Sequence, residues 1–171
     1  GLQDTTVDYD IKFVCFDTQN WIGNGCLIPS GPLREKLDSL KKYDGVFLKS
    51  NNPDYDSDEI STIIKKFNPN IKIFNSYVKI NNLEKFDLSK KYLMFSGIGN
   101  SNSFKDILLR NKFNIIDEVS FPDHNNYNNR DIENLIMKAK KFDAKVITTE
   151  KDFVKISNSH KKDVDFLEID L

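Results

Sequence analysis

Short apolar runs alternate with helical stretches along nearly the whole chain, and that alternation limits the fold more than any single residue does. Runs rich in β-branched and aromatic residues at 11–16, 46–48, 92–96, 115–119, 145–147 and 164–169 read as strands. Helical spacing recurs between them. Ile60, Ile63, Ile64 and Phe67 share one face, with Asp56 as cap and Glu59 three residues on. Phe104, Ile107 and Leu108 follow a start near Ser101, and residues 129–142 align Ile132, Leu135, Ile136, Ala139 and Phe142. Pro32 suits a first helical position ahead of Leu33, Leu37 and Leu40, and residues 151–156 form a short helix. Strands joined by helices of about three turns make βα units, so the expectation is an α/β chain with a mostly parallel sheet and flanking helices. Residues 71–80 read as extended, with antiparallel pairing open there. A division near residue 75 is expected, giving segments 1–75 and 76–171.

Composition narrows the function classes. The formal net charge is -1, from 25 basic and 26 acidic side chains, which gives no electrostatic case for a nucleic-acid partner. No apolar run approaches the roughly 20 residues of a membrane span, and the N-terminus has no apolar signal core. Cys15 and Cys26 form no CxxC pair, which fits a reducing compartment. Cys15, inside an apolar strand, reads as a buried thiol. The opening Gly1-Leu2-Gln3-Asp4, without Met and close to the first strand, reads as the continuation of a longer protein.

Four segments carry candidate chemistry. In the loop from Trp21 to Glu35, Gly23 and Gly25 permit positive φ, and Asn24 lies between them. Pro32 would deliver this loop onto a helix N-terminus with Arg34 in its first turn, an arrangement that binds phosphate or carboxylate. The competing reading is a rigid βα connection whose Arg34 pairs with a neighbouring acid. Asp123-His124 follows a strand, where α/β proteins place chemistry, and a His beside an Asp can carry a proton. The competing reading is a surface His in a polar loop; His160 reads as exposed. Thr148-Thr149-Glu150-Lys151-Asp152 opens a helix, and capping explains its residue types, with an anion contact by Lys151 left open. Gly97-Ile98-Gly99 hints at dinucleotide binding, but the third glycine position is Asn102, and no GxxxxGK[ST] occurs in the sequence. Cys and His spacing supports no metal site.

Taken in order, these segments resemble the tetraacyldisaccharide 4′-kinase family. Gly1-Leu2-Gln3 resembles the end of its DDG-x-Q segment, and Gly23-Asn24-Gly25 through Pro29-x-Gly31-Pro32-Leu33-Arg34-Glu35 its GNG…LLPxGPLRE loop. Ser96-Gly97-Ile98-Gly99-Asn100 with Phe104 resembles AGIGNPxxF, Phe121-Pro122-Asp123-His124 with Tyr127 resembles FPDHHxY, and Thr148 to Asp152 with Val154 resembles TTEKDxVK. Cys26, Asn125 and Phe153 depart from the family pattern.

The resemblance implies a P-loop-kinase-like remnant followed by a smaller Rossmann-like C-terminal domain. It implies the ATP-dependent phosphorylation of the 4′-hydroxyl of a tetraacyldisaccharide 1-phosphate, a lipid A precursor. It also implies ATP and Mg²⁺ held mostly upstream of Gly1, and a cytoplasmic location at the inner face of a Gram-negative inner membrane, reached through that upstream part. His124, with Asp123 beside it, is implied to approach the nucleotide. Gly23, Asn24, Gly25, Arg34, Glu35, Thr149 and Lys151 are implied to face substrate or nucleotide. The chain alone is expected to be inactive. The alternative from another class is a non-catalytic, free-standing α/β module from a split or decaying gene.

Overall fold

In the computed structural model, residues 6–123 and 125–171 are described; Gly1-Leu2-Gln3 and His124 lie outside them. The chain divides after Val78 into two compact units, the second running Lys79–Asp170.

The first unit is a three-stranded parallel sheet, β1 (Phe13–Asp17), β2 (Gly45–Ser50) and β3 (Lys72–Tyr77), in that spatial order. Side chains alternate across a strand. Val46 and Leu48 therefore point to one face, where they join Leu40, Ile60, Ile64 and Ile71 in a single core. Ile60 and Ile64 come from α1 (Asp58–Phe67), whose polar face is solvated. Its N-cap is Ser57, and Asp56 instead accepts a hydrogen bond from the Asp58 amide at 2.9 Å.

Two further expectations fail in this unit. No α-helix starts at Pro32; the helical segment is a 3₁₀ turn over Leu37–Lys42. The Leu33 amide donates to the Cys26 carbonyl and the Leu33 carbonyl accepts from Ile28, so tertiary pairing removes the bonds a helix would need. Cys15 is exposed, because among the described residues its strand lies at the sheet edge and none covers its face.

In the second unit β5 (Lys91–Ser96) is central: the order is β6 (Asn114–Ser120), β5, β7 (Ala144–Thr149), β8 (Val164–Leu167), all parallel. Tyr92, Leu93, Met94 and Phe95 are fully buried, as expected of a continuous apolar run covered on both faces. Helix α2 (Ser101–Arg110) buries Phe104, Ile107 and Leu108. Helix α3 (Asn129–Lys141) buries Ile132, Leu135 and Ala139 behind a reciprocal Asn128/Asp131 cap, leaving Phe142 exposed. The extended residues 71–80 split: β3 is parallel, whereas β4 (Lys79–Ile80) pairs antiparallel with β9 (Ile169–Asp170). The fold is thus α/β with mostly parallel sheets and flanking helices. No helix among the described residues is long and apolar enough to cross a membrane.

Ile64 is fully buried at the centre of the first core. Ile64→Ala is expected to cost about 2–5 kcal/mol. Trp21, the single tryptophan, packs at a tilt against Phe16 in that unit, so its fluorescence during urea unfolding reads the effect as a lowered midpoint.

Candidate functional site

Each unit folds one set of the motif residues into a defined surface. In the first unit, the loop after β1 descends through successive turns: Trp21 donates to the Asp17 carbonyl, Gly23 to Asn20 and Gly25 to Ile22. Gly23 and Gly25 have φ of 56° and 72°, the left-handed region that glycine enters without steric cost. Asn24 then closes the loop. Its Nδ2 donates to the Ser30 carbonyl at 2.8 Å, and its Oδ1 accepts from the Cys26 amide at 3.1 Å. Gly31 passes so near that an added Cβ would sit 2.4 Å from the Cys26 carbonyl oxygen.

Behind this loop is a hollow of about 280 Å³ lined by Trp21, Arg34, Glu35, Leu37, Tyr43 and neighbours. Arg34 is exposed at its rim. Burial, aided by the Glu35 charge, raises the pKa of the Tyr43 hydroxyl. The anion-ready helix N-terminus anticipated from Pro32 is absent, so only side chains and loop amides can contribute here.

In the second unit, three motifs meet at the carboxyl ends of β5, β6 and β7. Their centre is Asp152, which is fully buried. Its carboxylate accepts from the Gly97 amide at 2.9 Å, from Thr149 Oγ1 at 2.9 Å and from Lys155 Nζ at 3.1 Å. Burial alone would push its pKa up. The donors of Gly97, Lys155 and Thr149, with the Tyr127 hydroxyl close by, outweigh that and hold it below the usual carboxylate range.

Thr149 also caps the four-residue helix α4 (Glu150–Phe153) by accepting from the Asp152 amide. Tyr127 packs edge-on against Phe95 and Phe121, with Lys155 Nζ 5.7 Å above its ring. Burial first, then the Asp152 charge, raises its pKa well above the ordinary phenol value. Around this centre lie the more exposed groups. Lys151 Nζ is 3.5 Å from Asp123 Oδ1, both about half exposed, and a Cβ on Gly99 would be 3.6 Å from the same carboxylate. A hollow of about 330 Å³ opens beside them, lined by Ile98, Phe104, Leu167 and Ile169 with Thr149 to Lys151 at its edge.

Of the anticipated residues, Asp123, Thr149 and Lys151 are therefore neighbours, and Gly23, Asn24, Gly25, Arg34 and Glu35 share one loop. His124 lies outside the described residues. Sequence reasoning missed Asp152 and Tyr127 as organisers. The available signal was Thr149-x-x-Asp152, a capping pattern whose acid is here turned inward. His160, anticipated as exposed, is mostly covered, with Nε2 3.6 Å from Glu133.

Comparison with known proteins shows the family. The sequence model of the family described as Tetraacyldisaccharide-1-P 4'-kinase matches residues 1–171. A tetraacyldisaccharide 4'-kinase from Pelagibacter ubique (strain HTCC1062) is 44% identical across 100% of this chain and 54% of its own length. One from Rickettsia typhi (strain ATCC VR-144 / Wilmington) is 39% identical across 94% and 48%. The chain spans about half the length of the curated relatives it matches. A crystal structure of an "apo" form of LpxK from Aquifex aeolicus in complex with ATP superposes with a TM-score of 0.60 over 99% of this chain and 50% of that one. At 19% identity this likeness concerns the fold alone.

Two outcomes test the Asp152 centre. A carboxyl whose pKa is lowered by folding contributes fully above its unfolded value and loses that contribution as pH falls through the folded value. Asp152→Asn should thus lower stability by about 1–3 kcal/mol at pH 7, and the gap to the parent should narrow below pH ~4 in thermal scans. Gly97→Ala would place a methyl 2.5 Å from the Tyr127 hydroxyl oxygen. It should lower the Tm, and adding Tyr127→Phe should recover part of the loss; no recovery would mean the clash is not what costs stability.

Proposed function

Since the chain belongs to the tetraacyldisaccharide 4′-kinase family, we propose that it is the C-terminal half of an ATP-dependent kinase for the 4′-hydroxyl of a tetraacyldisaccharide 1-phosphate in lipid A synthesis. The observation that supports this reading is the convergence of Gly97 and Thr149 on the buried Asp152 carboxylate, with Asp123 paired to Lys151 two residues from Thr149, at the carboxyl edge of a parallel sheet. Ligands of open α/β sheets bind at that edge. In this reading the first unit is the end of a P-loop-kinase-like core and the second a smaller Rossmann-like domain. The parent protein works at the cytoplasmic face of the inner membrane.

Phosphoryl transfer needs positioning and charge neutralisation more than covalent chemistry. ATP with Mg²⁺ would supply the phosphoryl group and much of the neutralisation. Among the described residues no three His, Cys, Asp or Glu side chains come together as metal ligands. Its own residues fall into two roles. Gly23, Asn24 and Gly25 shape a loop that presents Arg34, with Glu35 beside it, toward an anionic substrate group. Asp152, through Gly97 and Thr149, fixes the ground on which Asp123 and Lys151 stand, and Asp123 precedes His124. We assign His124 to proton handling near the nucleotide and Lys151 to an anion contact.

In a full-length family member, replacing the residue equivalent to His124 with Ala should reduce kcat by about 10²–10⁴-fold, with a smaller change in KM for the lipid. Unchanged turnover would end the assignment. The chain by itself should show no ATP-dependent 4′-phosphorylation in a radiolabel assay, and turnover by the pure chain would overturn the half-enzyme reading.

A further inference from the structure

The Gly97-Ile98-Gly99 turn leads from β5 into α2, and the serines around that entry take no part in the Asp152 centre. Ser96, the last residue of β5, is 1% exposed, and its buried Oγ has no hydrogen-bond partner among the described residues. Ser96 pairs in register with Ser120 of β6, so the two side chains share a face of the parallel sheet. Leu93 and Phe95 pack with Ile132 and Leu135 of α3, which puts Ser96 and Ser120 on the opposite face. There Ser120 Oγ lies 3.5 Å from the Oγ of Ser101, the first residue of α2. Three hydroxyls thus converge on one helix N-terminus, and the buried one lacks a partner.

The first-turn amides of a ten-residue helix have no intrahelical acceptor, and they carry a partial positive charge. Asn100 Oδ1 takes the Ser103 amide at 3.1 Å, which leaves those of Ser101 and Asn102 for an acceptor from outside. β5 is also the strand beside which the sheet order reverses, the place where open α/β sheets bind ligands. On the β7 side of the turn, the Gly97 amide is already held by Asp152. We propose that the α2 side is a phosphate site, in which the Ser101 and Asn102 amides and the Ser96, Ser101 and Ser120 hydroxyls donate to one phosphate group. A buried hydroxyl is costly until it is paired, and a phosphate oxygen is the acceptor that Ser96 lacks. Ser120 is exposed and Ser101 partly so, which gives the site its mouth. Charged groups nearby are paired off: Asp123 with Lys151, and Glu118 of β6 with Lys105 of α2 at 2.9 Å. Recognition therefore comes from oriented donors more than from net charge. In the family pattern AGIGNPxxF that this motif resembles, Ser96 and Ser101 stand at the Ala and Pro positions, so neither hydroxyl belongs to the pattern. The inference does not rest on the kinase reading or on the roles assigned to His124 and Lys151.

Inorganic phosphate is the probe. Added to the isotope-labelled chain at constant ionic strength, it should shift the Gly99, Ser101 and Asn102 amide resonances along one saturable curve. Ser96→Ala should raise the dissociation constant about tenfold, the loss expected for one hydrogen bond to a charged group. Ser101→Pro removes an amide and a hydroxyl together and should abolish saturation, while proline at a first helical position leaves α2 intact. Ser89→Ala, before the amino end of β5, should leave the curve unchanged. Phosphate should also raise the Tm of the parent chain more than that of Ser96→Ala, a difference that general salt stabilisation does not produce. Separate titrations with ATP and with glucosamine 1-phosphate distinguish the sources: tighter binding of one names the carrier, and equal binding leaves free phosphate. Linear shifts that are the same in the parent and in Ser96→Ala would overturn the proposal. So would an equal rise in Tm for both.

Discussion

A buried carboxylate has to be matched by donors, and in this chain Asp152 obtains them from segments far apart in sequence. Gly97 lies 55 residues before it, at the end of the central strand β5. Thr149 ends β7, and Lys155 lies in the turn that follows the short helix α4. The Gly97 amide reaches the carboxylate while the Tyr127 hydroxyl occupies the space where a larger residue's Cβ would lie. Tyr127 in turn is wedged between Phe95 and Phe121. The loops after β5, β6 and β7 are thereby tied to one point, and what stands on them inherits a fixed position. Without its donors the carboxyl would carry a desolvation cost of several kcal/mol, so the arrangement is cooperative: the loops hold the charge and the charge holds the loops.

The parts of the fold that were legible in the sequence are those decided by local period and burial together. β5 reads as four successive core residues, and α2 and α3 show helical spacing with side-chain caps, so neighbouring structure only had to agree. The helix anticipated at Pro32 had the right leucine spacing, but Leu33 is committed to Cys26 and Ile28 across the loop, and such pairing leaves no trace in a helical period. Cys15 was anticipated as buried because an apolar strand does not say whether both faces of its sheet are covered. Asp152 was hidden for a different reason: a local explanation, capping, already accounted for an acid at that position. Its partner Gly97 reads in the sequence as part of a failed dinucleotide fingerprint and of a family motif, neither of which points to a carboxylate.

The motif residues separate by how their polar groups are spent. Asn24 uses both ends of its amide on its own loop, and Gly31 and Gly97 are defined by what approaches them. Asp152 is saturated. These residues build. Arg34, Asp123 and Lys151 stand at the surface, each on a segment that the builders hold.

That division explains why the exposed groups suit ligand contact better than the buried ones, though both lie in the family's motifs. An ion pair at 3.5 Å between half-exposed side chains, such as Lys151 with Asp123, contributes only about 0–1 kcal/mol. In its proposed role, Lys151 would exchange its carboxylate for a phosphate at little cost. Asp152 cannot make such an exchange, because releasing Gly97, Thr149 or Lys155 would leave donors unmet in a region closed to water. The proposed anion contact needs both kinds of residue. The weak pair is useful only where it is held in place, and Asp152 is the residue that holds the loops on which it stands.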